Sequence, residues 1–171
     1  LRRQRQMCIR DRNENGSLPD WFDAKGHRDA NTTETDQESG AVQAAYQIFQ
    51  LQGPDWLETM ISGTSLIDRL ELAMDYVLRE RRDPGTGLIR GAHTADWGDV
   101  DLIDRDEEAV YADSRTRWTA DIYDQSMFHF ACRQLSLMME SLNRSEKARR
   151  WKETAEVIRG LTDRFLWQPQ K

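Results

Sequence analysis

Three carboxylates stand within six positions at Asp96-Trp97-Gly98-Asp99-Val100-Asp101, with a tryptophan between the first two. Crowded acids beside an aromatic wall raise one another's pKa through like-charge repulsion and desolvation, which keeps one of them protonated near neutrality. Such an acid can hand its proton to a departing oxygen, and cleavage of a glycosidic bond needs it together with a second carboxylate to handle water. The flat indole of Trp97 suits the apolar face of a sugar ring, and Trp21, Tyr111, Trp118 and Tyr123 could extend the platform. In a chain with 30 acidic residues the same spacing also fits a solvated turn or a calcium loop, so both readings stay open here.

Two further acidic groups mark helix starts: Glu34-Thr35-Asp36-Gln37-Glu38, and Asp121 with Asp124. Carboxylates at helix N-termini cap free amides and complement the helix dipole, which gives both groups a structural reading beside a functional one. His27, His93 and His129 show no metal-ligand spacing. His129 lies among apolar neighbours and is expected to pack in the core, whereas His93 stands in the loop, where it could hydrogen-bond a sugar. There is no phosphate-binding glycine loop, nucleophile elbow or zinc signature, and neither a metal nor a cofactor is expected.

Four helices must position these residues, and their apolar patterns define an all-α chain. The first is expected from about Glu38 to Leu51, stopped by Gly53-Pro54, with apolar residues around most of its circumference. The second begins near Ser65, whose hydroxyl can cap it, and carries Leu66, Leu70, Ala73, Met74 and Val77 on one face before Asp83-Pro84-Gly85 ends it. The third, from about Asp121 to Leu142, is apolar nearly all round and should be buried on several sides. The fourth, from about Ser145 to Leu166, has a single stripe of Ala148, Trp151, Ala155, Ile158, Leu161 and Phe165. Broad and one-sided helices thus alternate, as the inner and outer helices of a closed double ring would. A helical bundle or an open solenoid of helix pairs gives similar stripes. Between the second and third helices the long segment 83–120 lacks helical periodicity, and Gly87-Leu88-Ile89 suggests a small hairpin within it.

The bulk numbers exclude several partners. Residues 1–12, LRRQRQMCIRDR, differ in composition from the rest of the chain, and back-translation gives a reading frame through a sequencing-library transposon adapter. They are set aside as a scar, which leaves 13–171 as a partial domain. Without them Lys+Arg falls from 24 to 19 and Asp+Glu from 30 to 29, so the net charge moves from -6 to -10. An acidic chain with no basic patch does not suit nucleic acid, and no apolar run approaches the roughly 20 residues that a bilayer demands. With Cys8 in the scar, only Cys132 remains, in an apolar stretch that marks it as a small buried hydrophobe.

The segments GLIRGAHTADWGDVD, RWTADIYDQSMFHFACRQLSLMME and ARRWKETAEVIRGLTDRFLW together resemble the six-hairpin glycosidases. The likeness is strongest to bacterial proteins of the amylo-alpha-1,6-glucosidase-like or debranching-enzyme-like kind, and it covers about Glu34 to Trp167. It implies an (α/α)6 toroid, of which this chain holds about two helical hairpins, and inverting hydrolysis of an oligo- or polysaccharide by a carboxylate acid/base pair. By the same resemblance the acid falls in the loop Asp96 to Asp101, best matched by Asp99, then Asp96, then Asp101, with Trp97 shaping the sugar subsite. The start of the next inner helix, Asp121, Tyr123 and Asp124, and the earlier Asp36 would bind sugar hydroxyls. Val100 after Asp99 and the acidic insert from Asp101 to Asp113 depart from the family pattern and leave the substrate open. The base would lie in a later hairpin, beyond Lys171. Inner faces that a complete ring would bury are therefore expected to be exposed. The rival readings are a sugar epimerase or lyase on the same toroid, or a non-catalytic helical module that binds carbohydrate or calcium.

Overall fold

A computed structural model describes residues 15–19, 34–92 and 117–167. Its elements in chain order are α1 (Asp36–Gln52), a 3₁₀ turn (Pro54–Glu58), β1 (Met60–Ile61), β2 (Thr64–Ser65), α2 (Leu66–Glu80), β3 (Gly91–Ala92), β4 (Trp118–Thr119), α3 (Ile122–Ser141) and α4 (Ser145–Phe165). Helices dominate, so the chain is all-α with short strand pairs at its connections.

Each helix boundary has a local cause. α1 starts two residues before the expected Glu38 and runs to Gly53, whose φ of 82° turns the chain out while its N–H donates to Phe49 O at 2.8 Å. Ser65 caps α2 as its hydroxyl predicts, accepting from Asp68 N at 3.3 Å, and Asp121 caps α3 by accepting from Asp124 N at 2.8 Å. Ser62 and Gly63 both have positive φ, which closes β1 onto β2 through a tight two-residue turn. The hairpin expected near Gly87-Leu88-Ile89 forms: Arg82 bridges Ile89, and Asp83 Oδ1 accepts from Gly85 N at 3.1 Å and Thr86 N at 2.7 Å to shape the turn.

Consecutive helices run antiparallel, and alternate ones run parallel. α2 and α4 lie side by side through a ladder in which Asp68 meets Arg144, Glu71 meets Lys147 and Asp75 meets Arg150. Both series ascend together, which is possible only for parallel helices. The Trp151 indole N–H donates to Glu71 Oε1 at 3.3 Å beneath this ladder. α1 and α3 are parallel by the same argument, from Tyr123 OH on Asp36 at the start and Gln43 on the Met127 carbonyl further along. Val42, Ile67, Met74, Phe128, Leu135, Met138 and Trp151 fill the space between the two layers.

α3 buries Phe128, Cys132, Leu135, Met138 and Met139, but one of its apolar faces is open. Phe130 and Leu137, two turns apart on one face, are 58% and 48% exposed, because among the described residues no element covers that face. Leu51 at the end of α1 is likewise exposed. Cys132 is buried, and desolvation pushes its thiol pKa far up. His129 packs against the next helix, its Nδ1 placed 3.0 Å from Ala155 O; a carbonyl only accepts, so this nitrogen carries the proton. Among the described residues no helix is long and apolar enough to cross a membrane.

Candidate functional site

Parallel packing of α1 on α3 brings two helix N-termini to one place, and with them their acids. Thr35, just before α1, donates its hydroxyl to Asp124 Oδ1 at 2.8 Å, and both residues are buried. Tyr123 donates its phenol to Asp36 Oδ2 at 3.0 Å. Asp121 caps the same helix that carries Tyr123 and Asp124. The positive ends of two helix dipoles lie at these helix starts, which carry four acids, Asp36, Glu38, Asp121 and Asp124, and favour negative charge there.

The base of the long acidic loop is fixed at the same end. β3 pairs with β4 antiparallel, Gly91 opposite Thr119 and Ala92 opposite Trp118, so the chain leaves at Ala92 and returns at Trp118 from one point. Gln125 on the first turn of α3 binds that point as a strand would. Its side-chain oxygen accepts from Ile89 N at 2.9 Å, and its amide nitrogen donates to Ile89 O at 2.7 Å and to Asp121 O at 3.1 Å.

The expected site residues thus divide in two groups. Asp36, Asp121, Tyr123 and Asp124 come together at the paired N-termini, and Trp118 lies in β4 at the root of the loop. Asp96, Trp97, Asp99 and Asp101, with His93, lie outside the described residues, as do His27, Trp21 and Tyr111. Trp118 is half-buried, with the guanidinium groups of Arg81 and Arg90 each 5.2 Å from its ring centroid. It also lines an open recess of about 340 Å³ with Asp83, Thr86, Arg90 and Phe165, into which none of the four acids opens.

Sequence reasoning passed over Glu38 as an individual. Its side chain is 2% exposed, and burial raises its pKa from 4.5 to about 7, against the pull of the Leu18 amide and of Arg81. Its Oε1 accepts from Leu18 N at 2.8 Å. Among the described residues Oε2 finds no hydrogen-bond partner. A signal existed: Glu38 opens the stripe it shares with buried Val42 and Ala45, at i, i+4 and i+7. Gln125 is hidden in the same way, on the stripe of Phe128, Cys132 and Leu135.

Comparison with models of known protein families and with curated proteins finds no match.

Proposed function

We propose that the chain is part of a six-hairpin (α/α)6 glycoside hydrolase of the amylo-alpha-1,6-glucosidase-like or debranching-enzyme-like kind, acting on an oligo- or polysaccharide. One observation carries the reading: both ends of the acidic loop are rooted, through β3, β4 and Gln125, at the end where α1 and α3 present their acids. Asp99 stands seven residues beyond Ala92, a tether of at most about 25 Å even when fully extended. In this reading Asp99 is the general acid, with Asp96 the alternative, and Trp97 shapes the subsite. Asp36, Asp121, Tyr123 and Asp124 hold sugar hydroxyls, and Trp118 stiffens the root of the loop while adding aromatic surface.

The local chemistry supports this assignment of labour. A carboxylate paired with a phenol, as in Asp36 and Tyr123, offers both an acceptor and a hydroxyl at one spot, which suits vicinal sugar hydroxyls. The exposed apolar face of α3 fits a chain whose inner helices pack against further hairpins. In an inverting mechanism the acid protonates the leaving oxygen while a second carboxylate activates water from the opposite face of the sugar. The test is Asp99→Asn in the full-length protein, assayed on α-glucan oligosaccharides and polysaccharides. Turnover is expected to fall by about 10²- to 10⁴-fold, the usual share of one general acid, with the circular dichroism spectrum unchanged. Activity equal to that of the parent overturns the assignment.

A further inference from the structure

The short segment 15–19 is fitted to the helices more closely than a polar connector requires. Asn15 Oδ1 accepts from Ser17 N at 3.0 Å and from Ser17 Oγ at 2.8 Å, which turns the chain at Gly16. Gly16 has φ of +100°, and a Cβ there would stand 2.6 Å from the Leu72 carbonyl oxygen, so backbone lies directly on α2. Arg79 donates to Asn15 O at 2.7 Å, and Leu18 N–H ends the run on the Glu38 carboxyl of α1. The segment therefore crosses from one helix to the other, and its last anchor is a buried acid with one oxygen unpaired among the described residues.

We propose that Glu38 is a proton-controlled positioning residue, whose neutral carboxyl fastens residues 15–19 to the first turn of α1 and whose ionised form releases them. The inference stands apart from the carbohydrate reading. When neutral, the acid keeps its proton on Oε2 and accepts from Leu18 N through Oε1, and an unpaired buried hydroxyl costs far less than an unpaired buried charge. When ionised, Oε2 needs a donor. The charged and titratable groups that act on Glu38 among the described residues are Tyr76 of α2, Arg81 at the C-terminal end of that helix and Asp36 of its own helix, while Leu18 contributes its backbone N–H. Arg81 helps and Asp36 opposes, so water admitted by lifting the segment becomes the readiest source of hydrogen bonds.

The direction of the effect follows from linkage. The attached state has the raised pKa, so attachment is strongest below 4.5 and weakens as pH rises through about 7. If the lifted segment returns Glu38 to its ordinary value, opening becomes about 30-fold more favourable between pH 5.5 and 8.5. Amide hydrogen exchange of the protein at these two pH values, corrected for intrinsic rates, measures this. Protection of the Leu18 amide is expected to drop about 30-fold while that of Leu135 in α3 holds. Glu38→Gln, which keeps the acceptor and never ionises, should retain protection at both pH values, and Glu38→Ala should lack it at both. Equal wild-type protection at the two pH values overturns the proposal, and so does a Glu38→Gln variant that keeps the wild-type pH dependence.

Discussion

Replacing Gln125 with methionine keeps the length and most of the volume of the side chain but removes its amide. The residue is 1% exposed, and so is Ile89, whose N–H and C=O it pairs at 2.9 and 2.7 Å. Methionine leaves both backbone groups buried without those partners, at about 1–3 kcal/mol each. The third bond, to Asp121 O, matters less, because that carbonyl also lies 3.4 Å from Gln125 N within the helix. Some of the loss is offset by burying an apolar side chain in place of a polar one. The net cost is therefore expected to be about 3 kcal/mol, which for a chain of this size corresponds to about 6–12 °C in Tm.

Urea and thermal unfolding followed by circular dichroism give that number, and hydrogen exchange locates it. The loss should concentrate at Ile89, Gly91 and Ala92, since the two strands lose their fastening to α3, while the ladder between α2 and α4 stays protected. A destabilisation below about 1 kcal/mol would refute the reasoning, because it would mean that Ile89 pairs equally well without the glutamine. A uniform loss of protection over all helices would refute its local part.

Two other substitutable points test the packing separately. Gly16→Ala places a methyl against the Leu72 carbonyl at a φ that L residues avoid. It is expected to detach 15–19, raising exchange at Leu18 at every pH while Tm falls by no more than a few degrees; undiminished protection at Leu18 would contradict the close fit. The Cys132 thiol, buried with its pKa pushed up, should react with iodoacetamide at pH 8 at less than about one thousandth of the rate in urea, and prompt labelling of the folded chain would contradict its burial.

The helices were legible because each carries its own evidence. Ser65 and Asp121 are caps that act within three residues, and Gly53-Pro54 halts a helix whatever surrounds it. The start of α1 was less legible because Thr35, a natural cap by type, makes no side-chain cap bond and instead donates to Asp124 on another helix. The pairing of Gly91-Ala92 with Trp118-Thr119 is non-local, and two-residue strands leave no alternation to detect. The Ser62-Gly63 turn was readable in principle, since a glycine between short apolar pieces favours a tight reversal. For α3 the composition indicated burial on several sides but not which side lacks a neighbour, so the exposure of Phe130 and Leu137 required the packing to be seen.

Among the acids, type and spacing gave location but not role. Asp36 and Glu38 read alike in sequence, as two carboxylates in the first turn of one helix. Two positions along a helix amount to about 200° of rotation, so they face opposite sides. Asp36 turns toward α3 and takes the Tyr123 phenol, while Glu38 turns inward with Val42 and Ala45, toward Arg81 and the backbone of Leu18. One side leaves a carboxylate able to meet polar groups at the start of α3. The other removes it from water and so moves its protonation into the physiological range. Residue type sets the starting pKa, whereas the helix face sets the environment that shifts it, and the face is recoverable from the apolar stripe before any coordinate is known. Asp121 and Asp124 divide in a similar way: Asp121, the extended cap before α3, stays exposed and accepts from Asp124 N, whereas Asp124, inside the first turn, is buried and accepts from Thr35 of the α1 start.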